Sequence, residues 1–119
     1  MLSEQRRQRN RDNLGAAIKE ARLREGFTQK GLASALGIEH HTMISQMELG
    51  YMAVPASLWV PIAETLKMNR YLWVLRCTQE YHPEINRSLF GNRSRREVSE
   101  FLEALHKGQL TGLLNDQQD

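Results

Sequence analysis

The sequence is short of the parts from which secreted, membrane-bound and catalytic proteins are built. Its 119 residues hold one cysteine, Cys77, so no disulfide framework can form within the chain, and a lone thiol fits a reducing cytoplasm. Apolar runs end after a few residues, far below the ~20 that span a bilayer, and no charged-then-apolar leader opens the chain. No membrane association is expected. There is no glycine-rich phosphate loop, no nucleophile with a base beside it and no paired carboxylates in a recognisable frame. Enzyme activity and a cofactor are therefore not expected. His40 and His41 are neighbours that would point about 100° apart on a helix, and no cysteine or aspartate stands at ligand spacing, so no metal site is expected either. The length suits one domain with its own core and leaves no room for a two-domain enzyme.

Charge of one sign is also scarce overall, with 16 Lys+Arg against 14 Asp+Glu and a net of +2. The balance hides a pattern. Residues 1–11 carry Arg6, Arg7, Arg9 and Arg11 against Glu4; residues 12–86 are nearly neutral; residues 87–96 carry Arg87, Arg93, Arg95 and Arg96 with no acid; and the remainder is acidic. Arginine outnumbers lysine 12 to 4, and planar guanidinium forks suit phosphates and base edges. Solvated surface is the competing reading of such clusters.

What is present is helical periodicity. Leu14, Ala17, Ile18 and Ala21 recur at helical intervals up to a stop at Gly26; Thr28 is a good N-cap for a short helix with Leu32, Ala33, Ala35 and Leu36 inward; Gly37 ends it. A second short helix follows, with Met43, Ile44 and Met47 inward and a stop near Gly50. Pro55 reads as a first helical residue, and Pro61 as the start of, or a kink before, residues 62–67. Residues 69–81 form a fifth helix ended by His82-Pro83, and a short piece around Ile85, Leu89 and Phe90 ends at Gly91. Ser94 with Glu97 matches a capping box. Val98, Phe101, Leu102 and Leu105 then make one apolar stripe, which either covers the chain's own core or pairs with a second chain; dimerisation is the favoured use.

Two short helices joined by a tight glycine turn form the helix-turn-helix arrangement, whose second helix lies in the DNA major groove. His40, His41, Thr42, Ser45 and Gln46 supply polar groups at that helix's start and outer face; glutamine matches adenine's donor and acceptor, and threonine or serine serves either role.

The ordered text Ile18-Lys19-Glu20-Ala21-Arg22, Gly26-Phe27-Thr28-Gln29, Leu32-Ala33, Leu36-Gly37-Ile38, Ile44-Ser45-Gln46-Met47-Glu48-Leu49-Gly50, Val54-Pro55 and Ile62-Ala63-Glu64-Thr65-Leu66 resembles the Cro/CI-type, or Xre, helix-turn-helix regulators. These are mostly small phage, plasmid and bacterial repressors, and the resemblance covers about residues 12–68. It implies an all-α, lambda-repressor-like five-helix DNA-binding domain with a C-terminal helical extension, acting as a homodimeric repressor on a palindromic operator. The sequence divides into a flexible basic arm at 1–11, the DNA-binding domain at 12–81 and a C-terminal helical extension at 82–119, with dimerisation as one use of the last. Double-stranded DNA is the implied partner, read through the helix around residues 40–49. Thr28, Gln29 and Lys30 would meet DNA at the start of the second helix, Gln29 binding a phosphate and bracing the reading helix. Arg22 and Glu48 stand where the family forms a buried, structural ion pair. Between Thr28 and Gly50 this chain is one residue longer than the common spacing, the extra residue falling within Gly37–Thr42; aligning back from Ile44 puts His41 and Thr42 at the first contact positions.

Arg6, Arg7, Arg9 and Arg11 are expected to add salt-dependent affinity, as N-terminal arms do. Two other functions compete: an antitoxin-like autorepressor whose C-terminal part binds a protein partner, and an interaction module that has lost DNA binding.

Overall fold

The computed structural model describes residues 2–108, with side chains from Asn13 onward. It is all-helical: α1 (Leu2–Arg24), α2 (Gln29–Ala35), α3 (Thr42–Glu48), α4 (Ala56–Thr65), α5 (Arg70–Tyr81), α6 (Pro83–Phe90) and α7 (Arg95–His106), with no strand among the described residues.

α1 begins earlier than the sequence suggested. Residues 2–11, read above as a flexible arm, continue its helical backbone. They contain no glycine or proline, and Leu, Glu, Gln and Arg are among the better helix formers.

Four successive helices close in the same way. The amides of Phe27, Ile38, Tyr51 and Met68 donate to the carbonyls of Arg22, Ala33, Gln46 and Ala63, five residues back, while the preceding amide donates three residues back. This is the Schellman closure, which needs a left-handed residue just past the cap. Glycine supplies it at Gly26, Gly37 and Gly50, but the fourth is Lys67, the only non-glycine residue with positive φ (55°) among those described. A side chain there costs roughly 1–2 kcal/mol against glycine. Part of that is returned by glycine's greater freedom when unfolded. Lys67→Gly is therefore expected to stabilise the protein by about 0.5–1 kcal/mol, seen as a higher denaturant midpoint at unchanged slope.

α4 departs from the expectation for both of its prolines. Pro55 is the N-cap rather than the first helical residue, and Pro61 lies inside one continuous helix. Packing overrides the local penalty: Trp59, Ile62 and Ala63 are buried on either side of Pro61, and the Trp59 indole donates to Val54 O at 2.9 Å.

The chain divides into two compact units, Met1–Met68 and Asn69–Asp119, so α5 belongs with α6 and α7 instead of with the first four helices. In unit 1, α3 packs on α1 and α2 around Leu14, Ile18, Leu32, Ile44, Met47, Ile62 and Leu66. In unit 2, Leu75, Val98 and Leu102 form a core, with Tyr71, Leu72, Phe90 and Leu105 packed against it. The stripe assigned to dimerisation thus mostly turns inward. Val98, Leu102 and Leu105 cover their own unit because α5 offers them an apolar face, and only Phe101 stays exposed. Ser94 caps α7 by accepting from Glu97 N at 3.1 Å, and its hydroxyl donates to Glu97 Oε1 at 3.2 Å.

Candidate nucleic-acid interface

α3 is only seven residues long. Two turns of helix do not hold themselves together in water, so the position of this segment depends on its neighbours. Ile44 and Met47 are fully buried and Met43 is half-buried. That leaves Thr42, Ser45 and Gln46, spaced i, i+3 and i+4, on one outward face, with Thr42 and Gln46 exposed and Ser45 half-buried.

The connection before α3 holds the extra residue. Gly37, with φ of 71°, reverses the chain after α2. The carbonyls of His40 and His41 then accept from the amides of Met43 (3.1 Å) and Ile44 (3.0 Å), tight i+3 closures that precede the helix. The helix expected around residues 40–49 therefore spans Thr42–Glu48. His40 and His41 are both exposed but stand ahead of it, His41 at the N-cap position without a side-chain capping bond. The extra residue lies in the turn, ahead of the first residue of α3.

The far end of α3 is fixed by one buried carboxylate. Glu48 Oε2 accepts from Arg22 Nε at 2.6 Å, and Oε1 accepts from Arg22 Nη2 and from Gln29 Nε2, each at 3.1 Å. Arg22 Nη1 also donates to Phe27 O at 2.8 Å. The two charged side chains are almost fully removed from solvent, at 8% and 3% exposure. The Glu48 carboxylate thus joins α1, α2 and α3, and its partner Arg22 adds the loop after α1.

Beside that clamp α1 and α3 pack too closely to admit a side chain at Gly15. A Cβ added at Gly15 would run into the carbonyl oxygens of Met47 and Glu48.

Two short helices in this frame, the second presenting a polar outer face, agree with the family comparison: the helix-turn-helix family model matches residues 18–72. Over that stretch the chain is similar to helix-turn-helix proteins. No curated protein and no solved structure matches the chain. The match supports a DNA-binding transcriptional regulator in general terms. No helix among the described residues is long and apolar enough to cross a membrane.

The sequence-predicted residues fall into three groups. Thr42, Ser45 and Gln46 share the outer face of α3. Thr28 and Lys30 are exposed at the start of α2, Thr28 with its hydroxyl accepting from Gly31 N at 2.8 Å. Gln29 is half-buried, its side-chain amide donating to Glu48 Oε1. Arg6, Arg7, Arg9 and Arg11 lie on the helical backbone of α1, and their side chains are outside the described residues. Among the described residues no three His, Cys, Asp or Glu side chains gather to hold a metal. Cys77 is buried, and that burial pushes its thiol up to about 12.

Sequence reasoning passed over two residues of this site. Leu49 follows Gln46 by three positions and is 55% exposed, so it extends the outer face with an apolar tip. Its signal was a large apolar residue at the helical spacing of the polar face. Gly15 is the other: a glycine within a long helix, costing about 1 kcal/mol against alanine, marks a place where something packs closely.

Proposed function

We propose that the protein is a repressor that binds a palindromic operator as a homodimer, with α3 in the major groove. The observation that carries this reading is the outward face of α3, Thr42, Ser45, Gln46 and Leu49, on a helix clamped from behind by Glu48. Gln46 offers the paired donor and acceptor that adenine matches; Leu49 suits a thymine methyl; His41 and Thr42 meet a base edge or phosphate where the groove is entered. Thr28, Gln29, Lys30 and His40 stand near the phosphates, and the arginines of early α1 add charge along them. These contacts need neither cofactor nor chemistry. The setting is the cytoplasm, where Cys77 stays a thiol.

Footprinting over the chain's own upstream region tests this directly, since it reads binding, half-site spacing and symmetry together. Two protected half-sites about 34 Å apart are expected. Gln46→Ala should lower operator affinity about 10- to 100-fold, the 1–3 kcal/mol of one bidentate base contact, while leaving nonspecific binding unchanged. An equal loss on operator and random DNA would remove Gln46 from base reading. The absence of any protection at low salt, where even nonspecific contacts are strong, would favour an interaction module that has lost DNA binding. A protein that co-purifies with the chain would favour the antitoxin-like reading.

A further inference from the structure

Unit 2 leaves one apolar face without cover. α6 has no buried residue, although its apolar side chains gather on one side. Asn86 and Phe90 are half-buried, whereas Ile85 and Leu89, four residues apart, stand 44% and 69% exposed. Where α6 ends, a cavity of about 260 Å³ opens, lined by Phe90, Arg93, Glu97, Val98 and Phe101, and Phe101 is itself 45% exposed. Single exposed apolar residues need no explanation; an uncovered helix side that runs into an apolar cavity marks an interaction surface.

We propose that this face binds the same face of a second copy of the chain, Leu89 of each protomer entering the cavity beside Phe101 of the other. The inference rests on the homodimer reading above and gives it a surface. The rim decides the occupant. It carries one cation and one anion, Arg93 and Glu97, 4.0 Å apart and both solvent-exposed. A two-fold axis sets Arg93 against the partner's Glu97 and the reverse, so both charges are met twice in a self-complementary contact. A strongly acidic or basic partner would find no net charge there, and a phosphate backbone would meet apolar side chains. α3 also offers few base-reading groups, and a second copy doubles them.

Sedimentation equilibrium of the full chain, free and on the duplex protected in footprinting, tests the proposal. The wild type should give twice 13.8 kDa, and Leu89→Glu should give the monomer with an unchanged far-UV circular dichroism spectrum, because Leu89 is largely exposed. Arg93→Glu is the second variant: by placing like charges across the two-fold axis it should weaken association about tenfold at low salt, with the gap narrowing as salt screens the rim. A Leu89→Glu protein that remains dimeric, or an Arg93→Glu protein that associates as the wild type does, overturns this surface while leaving the homodimer reading intact. A wild-type chain that stays monomeric both free and on DNA overturns the homodimer reading as well. A monomer that dimerises only after residues 109–119 are removed also overturns the proposal, and gives the face to Leu110, Leu113 and Leu114 of the chain's own end.

Discussion

Gly15→Ala is expected to destabilise the protein by about 2–3 kcal/mol, and Gly15→Val to leave unit 1 largely unfolded at 25 °C. The direction for alanine is the sharper half of the expectation. At an ordinary site inside a helix the same change stabilises by about 1 kcal/mol. Here the added methyl meets two backbone carbonyls, Met47 O and Glu48 O, which cannot move aside as a flexible side chain would. α1 and α3 must separate, and both are anchored by the fully buried Leu14, Ile18, Ile44 and Met47. Valine adds two further methyl groups against the same atoms. A domain of this size has only about 3–5 kcal/mol to lose. Thermal unfolding followed by circular dichroism gives the answer; a Gly15→Ala protein that melts above the wild type would show that the helices slide apart without cost.

Removing the carboxylate of Glu48 should have a comparable effect for an electrostatic reason. Glu48→Ala leaves the Arg22 guanidinium, 8% exposed, without its counter-ion and Gln29 without its acceptor. Breaking a buried pair on one side costs about 3–5 kcal/mol, because a buried charge is left uncompensated. The double variant Arg22→Met/Glu48→Leu separates stability from placement. Exchanging both partners for apolar groups is often neutral or better, so the double variant should recover most of the melting temperature. It should not recover operator affinity to the same extent, because the bonds that aim α3 relative to α1 and α2 are gone. Urea unfolding and operator titration on the same samples check both halves; full recovery of affinity would mean that apolar packing alone positions α3.

Much of the fold is legible in the sequence where the signal is local. The stops at Gly26, Gly37 and Gly50 and the caps at Thr28 and Ser94 depend on one or two residues, and the structure places helix ends at each. The inward set of α3 follows from spacing alone. What was misread depends on distant partners. Lys67 ends a helix in a conformation that sequence assigns to glycine, and Pro61 stays within α4 because buried neighbours on both sides hold the helix together. Val98, Leu102 and Leu105 form the stripe their spacing predicts, but a stripe does not say whether α5 or another molecule will cover it. The same holds at the site: the spacing brings Thr42, Ser45 and Gln46 together, whereas the start of α3 after His41 depends on how the longer turn closes. The meaning of Gly15 lies entirely in a segment some thirty residues away.

The division of labour within α3 bears on how such a regulator changes over time. The residues that hold the helix, Ile44, Met47 and Glu48, point one way, and Thr42 and Gln46 point the other, where they support nothing in the fold. On the proposed reading, substitutions on the outer face leave the protein intact while altering which DNA sequence it prefers. On that reading, duplicated copies of the gene acquire separate operators one base at a time, each intermediate still folded, because the frame tolerates change only on the face that no other part of the protein covers.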